Sequence, residues 1–326
     1  MNNIIFIIGD HFNGNFCHLG HELNCARSLI FDLLCKEIII EDETTIITTI
    51  DRVFLYNHIF KKTISYEENN NIDLNKFSKI IRLDNDFLSN PRTHLCNKEA
   101  FHYRTYNVFK GIYEPIGFNN YKNKNFIKYV TNCNADILEP FATEFIIVHF
   151  RNYSNKPDIK CWNYSTDDNI IELINILNSL KGYYTNVLIF GNLNSTLDCI
   201  DGLNIKYCNN LKNYVSCMMS KNCNCIISCW SGAGQLGQFF FDKQLIYYMK
   251  PSQTVEYKFP FVNYEVYNNN INDIYSWDFQ TFSECKRYWF FNITDLINLF
   301  NNKHYEKLDL YNKYIGNYYE FQKLLL

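Results

Sequence analysis

The chain lacks the marks of several protein classes. It has no surplus of basic charge: 31 Lys and Arg against 34 Asp and Glu give a formal net charge of -3, whereas binding to a phosphate backbone requires clustered cations. Lys122, Lys124 and Lys128 are too few to change that, so nucleic acid is not an expected partner. Long apolar runs are also missing. The opening MNNIIFIIGD has no basic n-region, and its apolar stretch stops at Gly9 and Asp10, too short for a secretory signal or a membrane span. There is no internal repeat and no coiled-coil pattern. The 13 cysteines are an odd number scattered along the chain, a usage that fits reduced thiols and not a disulfide framework. A cytoplasmic setting is expected, with the sequons at Asn152, Asn163, Asn194 and Asn292 unused. The cysteines also lack the paired C-x₂₋₄-C spacing of structural zinc sites. Cys223, Cys225, Cys229 and Cys217 are therefore read as buried thiols and no metal is expected. Strand alternation would put Cys223 and Cys225 on one face without bringing Cys217 along.

What is present is a chain of 326 residues with 47% hydrophobic content, long enough for a substantial core and, by length, for two domains. Tyr, Phe, Asn, Ile and Lys are abundant, and all have AT-rich codons. The bias is the one expected of an AT-rich genome, such as that of a protist, a bacterium or a large DNA virus; for a viral protein the cytoplasm would be the host's.

The stretch Cys223 to Tyr248 reads as a buried strand, a turn of small residues (Ser228, Ser231, Gly232, Ala233, Gly234), a helix opening at the glycines and a second strand. This is the pattern of a βαβ unit, because parallel strands need a crossover that is usually helical. The turn then sits at the carboxyl end of a strand, the edge where open α/β sheets bind ligands. The bland alternative is that Gly232 and Gly234 merely permit a tight turn. A similar unit opens the chain: strand Ile4 to Ile8, then a loop, then a helix whose apolar residues recur from Leu23 to Leu34. The loop and helix start carry Asp10, His11, Asn13, Asn15, His18 and His21, either as a solvated, helix-capping surface or as a site presenting a His general base.

Further strands are expected at Thr45 to Thr48, Val53 to Tyr56 and Ile80 to Leu83, and a helix near Asn97 to Phe109. After a polar boundary containing Pro140 comes a clearer alternation: strand Phe145 to Phe150, helix Asp167 to Leu180 with Thr166 as N-cap, strand Val187 to Phe190, strand Ile205 to Tyr207 and helix Leu211 to Ser220. Three strand ends in this half carry polar groups suited to a diphosphate: His149, Arg151 and Lys156; Gly191 and Asn192; and Ser228 through Gln235. An Arg grips phosphate bidentately in a way Lys cannot copy. Its alternative is a surface ion pair with Asp158 or Asp167.

Two of these segments resemble known enzymes. IIVHFRNYSNKPD is similar to the H-x-R segment that opens the donor domain of the GT-B fucosyltransferase clan, and NYVSCMMSKNCNCIISCWSGAGQLGQFF resembles that clan's distal motif. The likeness covers about Glu144 to Tyr248. SGAGQLGQFF is also similar to the H-G-A-G turn of xylose- and N-acetylglucosamine-transferring GT-B enzymes, and GHELNCARSL to the Gly-His helix start of transferases with a His base. A second Arg often follows the first in the fucosyltransferases; here it is Asn152, so the resemblance does not specify GDP-fucose.

The resemblance implies an α/β fold of two Rossmann-like domains facing a cleft: an acceptor domain 1–138, a donor domain 139–290 and a C-terminal helical tail 291–326 crossing back. It implies an inverting, metal-independent hexosyl- or deoxyhexosyl-transferase that takes a nucleotide-diphosphate sugar donor and a glycan or other hydroxyl acceptor. His21, His18 or Asp10 would supply the base, and His11, Asn13 and Asn15 would meet the acceptor. Arg151 would neutralise the departing diphosphate. His149, Arg151, Lys156, Gly191, Asn192, Ser228, Ser231, Gly232, Ala233, Gly234 and Gln235 would hold the donor. The alternatives are a nucleotide-sugar 2-epimerase of the same fold and an inactive GT-B module that binds a glycan or a partner. A further rival is a metal-diphosphate role for the D-x-D triplet Asp84-Asn85-Asp86, as in sugar transferases of the other major fold.

Overall fold

A computed structural model describes residues 3–9, 19–68, 72–83, 124–149, 166–191, 200–229, 231–248, 286–290, 297, 300 and 301. Two all-parallel sheets organise them. In the first, strands β1 (Ile4–Ile8), β2 (Thr44–Thr48), β3 (Lys62–Ser65) and β4 (Lys79–Leu83) lie in the order β3-β2-β1-β4. In the second, β5 (Phe145–His149), β6 (Asn186–Phe190), β7 (Asn204–Cys208), β8 (Cys223–Cys229), β9 (Gln244–Tyr248) and β10 (Lys286–Phe290) lie in the order β10-β9-β8-β5-β6-β7. Numbered from its own first strand, that second order is 3-2-1-4-5-6, the doubly wound Rossmann-like arrangement, and the first sheet reproduces its first four strands.

The helices are α1 (Leu19–His21), α2 (Ser28–Cys35), α3 (Lys124–Val130), α4 (Thr166–Leu180), α5 (Leu211–Met218), α6 (Gly232–Gln235) and α7 (Gly237–Phe240). A π-helical segment, Glu22–Arg27, joins α1 to α2 without a break. Period-two alternation deals the central strands to two faces. Phe6 and Ile8 of β1 join Phe145 and Ile147 of β5 in one apolar core that also takes in α2, α3, α5 and α7. The opposite faces are covered separately: Ile146 and Val148 by Leu173, Ile176, Leu177 and Leu180 of α4, and Ile5 and Ile7 by Ile47 and Tyr66. The two sheets thus share a layer of helices between them.

Several expectations need correction. Val53 to Tyr56 is not a strand: a 3₁₀ helix spans Ile50–Leu55, with Phe54, Leu55 and Tyr56 buried in succession instead of alternately. A short apolar run carries no periodicity that separates the two outcomes. Lys62–Ser65 and Lys286–Phe290 add strands not expected from their polar surroundings. The helix expected after the glycines is two short ones, α6 and α7. Of the tail, Phe300 packs between the rings of Tyr183 and Tyr184, at 5.4 and 5.8 Å. This ties the tail to the second sheet's α4 face. The helix near Asn97 to Phe109 and the Asp84-Asn85-Asp86 triplet lie outside the described residues. Among the described residues no helix is long and apolar enough to cross a membrane.

Candidate functional site

In a 3-2-1-4-5-6 sheet the chain reverses its direction of winding between the first and fourth strands, and the crevice beyond their carboxyl ends is where such sheets hold ligands. Here those strands are β5 and β8. They end side by side, with His149 the ladder partner of Ser228. His149 Nδ1 and Ser228 Oγ are hydrogen-bonded at 2.8 Å. The imidazole also lies against Phe190 at the end of β6 and Tyr214 of α5, with ring centroids 5.4 and 6.0 Å away, and those two rings stack on each other at 3.9 Å. His149 is 4% exposed and Ser228 0%. The pair is therefore a buried staple between the ends of the two central strands. Gly191 follows β6 at φ 153, a backbone conformation that a side chain would disfavour.

The turn after β8 is built around Ser231. Its hydroxyl accepts from the Gly234 amide at 3.1 Å, a side-chain cap that closes the single turn of α6. The cap uses the hydroxyl as an acceptor and leaves its proton free to donate. A four-residue helix also sums few peptide dipoles, so the charge of a bound anion has to be met chiefly by side chains. Ala233 is half-buried, and Gln235 is buried beside Gly20.

The first half meets this turn directly. A Cβ placed on Gly232 would lie 2.5 Å from the Gly20 amide nitrogen and 3.0 Å from Leu19 Cβ; one placed on Gly20 would lie 2.8 Å from Gln235 Oε1. The helix start that follows the β1 loop and the helix start that follows β8 thus touch backbone to backbone. His21 belongs to that first helix start. Asp10, His11, Asn13, Asn15, His18, Arg151, Lys156 and Asn192 fall outside the described residues.

Sequence reasoning missed the charges beneath this junction. Glu22 is fully buried and accepts from Thr48 Oγ1 at 2.8 Å, Tyr56 hydroxyl at 2.9 Å and Arg52 Nη1 at 2.5 Å. Arg27, also fully buried, donates to the carbonyls of Leu55, Tyr129, Val130 and Asn132 at 3.2, 3.1, 2.6 and 2.8 Å. Three of these carbonyls belong to the C-terminal turn of α3 and the residues just after it, where a cation is favoured. The guanidinium also lies over Phe31 of the first half and Phe239 and Phe240 of the second, 4.9, 5.8 and 5.3 Å from their centroids. Burial lowers its pKa to about 10, outweighing the raising effects of Tyr56, Cys133 and Glu22. His58 rests against Phe31 and Tyr129 O. Burial and then the Arg27 charge push its pKa down to about 4. The available signal was Glu22 and Arg27 among the apolar positions Leu23, Ala26, Leu29 and Ile30, since a charge at a core position needs a partner.

The described thiols Cys217, Cys223 and Cys225 are buried packing groups, with one correction. Cys223 and Cys225 face opposite cores, because Phe145 pairs with Cys223 and Ile146 with Cys225, leaving Asn224 as an extra residue that switches the alternation. Cys217 consequently lies in the same core as Cys223. Burial drives both thiols upward, Cys217 to about 12; Cys208 adds to the rise at Cys217, and at Cys223 the lowering effect of Lys243 is followed by a raising one from Cys217. Among the described residues no group of three or more His, Cys, Asp or Glu is arranged to hold a metal ion. No protein-family model matches the chain, and no curated protein matches it in sequence.

Proposed function

We propose that the chain is a glycosyltransferase that binds a nucleotide-diphosphate sugar at the carboxyl edge of the second sheet. The observation that carries this reading is the coincidence of three features at one place. The sheet's switch point lies between β5 and β8, the segments resembling GT-B donor motifs end those two strands, and the Gly20–His21 helix start abuts the turn after β8. Donor and acceptor loops on neighbouring backbones are what transfer between two substrates requires, because the reacting atoms must be held within contact distance.

In this reading Arg151, two residues beyond His149 in sequence, meets the negative charge that builds on the leaving diphosphate. A donor fixed in advance lowers the barrier more than water that must reorganise. His21 accepts the proton of the attacking hydroxyl, with His18 and Asp10 as alternatives, and inversion at the sugar carbon follows from direct displacement. The His149–Ser228 staple holds the strand end from which Arg151 departs.

The test is a thermal-shift series with UDP, GDP, dTDP and CMP, followed by product analysis with and without hydroxyl acceptors in excess EDTA. One nucleotide at ~100 times its Kd should stabilise by about 2.7 kcal/mol, and sugar should appear on an acceptor with EDTA present. No stabilisation by any nucleotide refutes the proposal. An epimerised nucleotide sugar formed without acceptor assigns the fold to the epimerase chemistry instead.

A further inference from the structure

We infer that Glu22 is a positioning residue: it sets the helix start Leu19–His21 against the Gly232 turn and so fixes the junction of the two halves. Four observations converge. Glu22 opens the π-helical segment Glu22–Arg27, and both of that segment's charged ends are wholly buried. Each π-type bond reaches one residue farther than an α-helical one, so α1 is rotated by ~100° relative to the face it would present on an unbroken helix. The rotation is held from outside the helix: Thr48 at the end of β2, and Arg52 and Tyr56 in and just after the following 3₁₀ turn, all donate to the one carboxylate. At the far end Arg27 is gripped by carbonyls from Leu55 and from the end of α3. Finally, the junction has no slack, since Gly20 and Gly232 approach too closely for a methyl group between them. A displacement of α1 by a few tenths of an ångström must therefore be passed to the Ser231–Gln235 turn.

The buried carboxylate is costly as a stabilising device, because desolvation consumes much of what its partners return. Its position explains the cost. Two residues upstream is Gly20, and one residue upstream is His21, so the group that anchors the π segment is adjacent to the point of contact between the halves.

The inference depends on the transferase reading only for its catalytic consequence, and the experiment separates the two. Hydrogen–deuterium exchange is compared between the native chain and Glu22→Gln, which keeps the shape but removes the charge and replaces one of the two accepting oxygens by an NH₂, so that either Arg52 or the Thr48 and Tyr56 hydroxyls lose their acceptor. Amides of residues 19–21 and 231–236 should exchange ~tenfold faster, as expected when a buried charge-assisted bond is lost, while β5 and β6 stay protected. Acceleration confined to 44–56, with 231–236 unchanged, overturns the inference. Should Glu22→Gln fail to fold, Tyr56→Phe removes one donor and leaves the carboxylate; the same two segments should respond, to a smaller degree, and silence at 231–236 again overturns it. If the native chain transfers sugar, Glu22→Gln should lower kcat while leaving the nucleotide Kd within about twofold. If it transfers none, the proposed function fails and the exchange data still decide the role of Glu22.

Discussion

Gly232→Ala should be the most damaging methyl group that can be added at a described glycine with ordinary backbone angles. The added Cβ would sit 2.5 Å from a backbone nitrogen, 3.0 Å from Leu19 Cβ and 3.2 Å from Leu19 carbonyl carbon, so no flexible side-chain end can swing away to relieve it. Overpacking of this kind costs ~1–3 kcal/mol, offset in part by the better helix propensity of Ala, worth up to ~1 kcal/mol. Two controls bracket the effect. At Gly20 the closest atom is the end of a side chain, Gln235 Oε1 at 2.8 Å, and the next contact is 3.4 Å away, so Gly20→Ala should cost less. At Gly182 nothing lies within 4 Å, so Gly182→Ala should be neutral or stabilise by ~0.4–1 kcal/mol through a less flexible unfolded chain. Urea denaturation midpoints should rank Gly182→Ala at or above the native chain, then Gly20→Ala, then Gly232→Ala. Differential scanning calorimetry should place Gly232→Ala roughly 2–6 °C below the native Tm. Gly232→Ala and Gly182→Ala with equal midpoints would refute the backbone contact between the two halves.

Arg27→Met should destabilise by roughly 3–5 kcal/mol, because the carbonyls of buried Leu55 and Val130 and those of Tyr129 and Asn132 lose a donor and only the apolar stem is replaced; a urea midpoint within error of native would remove Arg27 from this role. His58 makes stability pH-dependent with a defined sign. Its pKa falls from the ordinary 6.5 to about 4 on folding, so the unfolded chain binds the proton first and stability declines as pH drops from about 6.5 towards 4. Urea midpoints at pH 7 and pH 5 should differ less in His58→Asn than in the native chain, and identical slopes would clear His58 of the effect. Thiol labelling by a chromogenic disulfide at pH 8 should modify Cys35 well before Cys223: both thiols are pushed upward by burial, but Cys35 is half-buried and Cys223 fully buried. Equal rates at the two positions would mean that β8 opens freely.

The parallel strands were legible because each is a short apolar run bounded by polar residues, and β1, β5, β6 and β8 all sit near the expected positions. Their order was not, since pairing is decided by contacts between segments that no local pattern encodes. Lys62–Ser65 escaped notice because the strand is at a sheet edge with Lys62 exposed and Thr63 and Ile64 half-buried, leaving little alternation to detect. The β8 turn was recognised by its small residues, but not that Ser231 caps α6 or that α6 is a single turn. Which of several nearby donors a hydroxyl accepts from depends on a fraction of an ångström, well below what spacing expresses. His149 was picked out as a polar strand end; that its partner would be Ser228 followed from the strand order alone.

The most informative residues are those that contradict their sequence context. Glu22 and Arg27 stand at fully buried positions of a helix whose inner face is mainly apolar, and neither is needed to bury apolar area. Burying each charge costs desolvation that its partners offset only in part, so the stability they add does not by itself account for charges at these two positions. What they supply is geometry. Glu22 draws the helix toward the end of β2, Arg27 draws it toward α3, and between them the helix widens by the extra residue of a π turn. The phase of α1 is thereby decoupled from that of α2. The aliphatic face of α2 can satisfy the core, while Leu19 and Gly20 are turned independently toward Gly232. A continuous α-helix would tie both faces to one phase, and either the core or the junction would be misaligned.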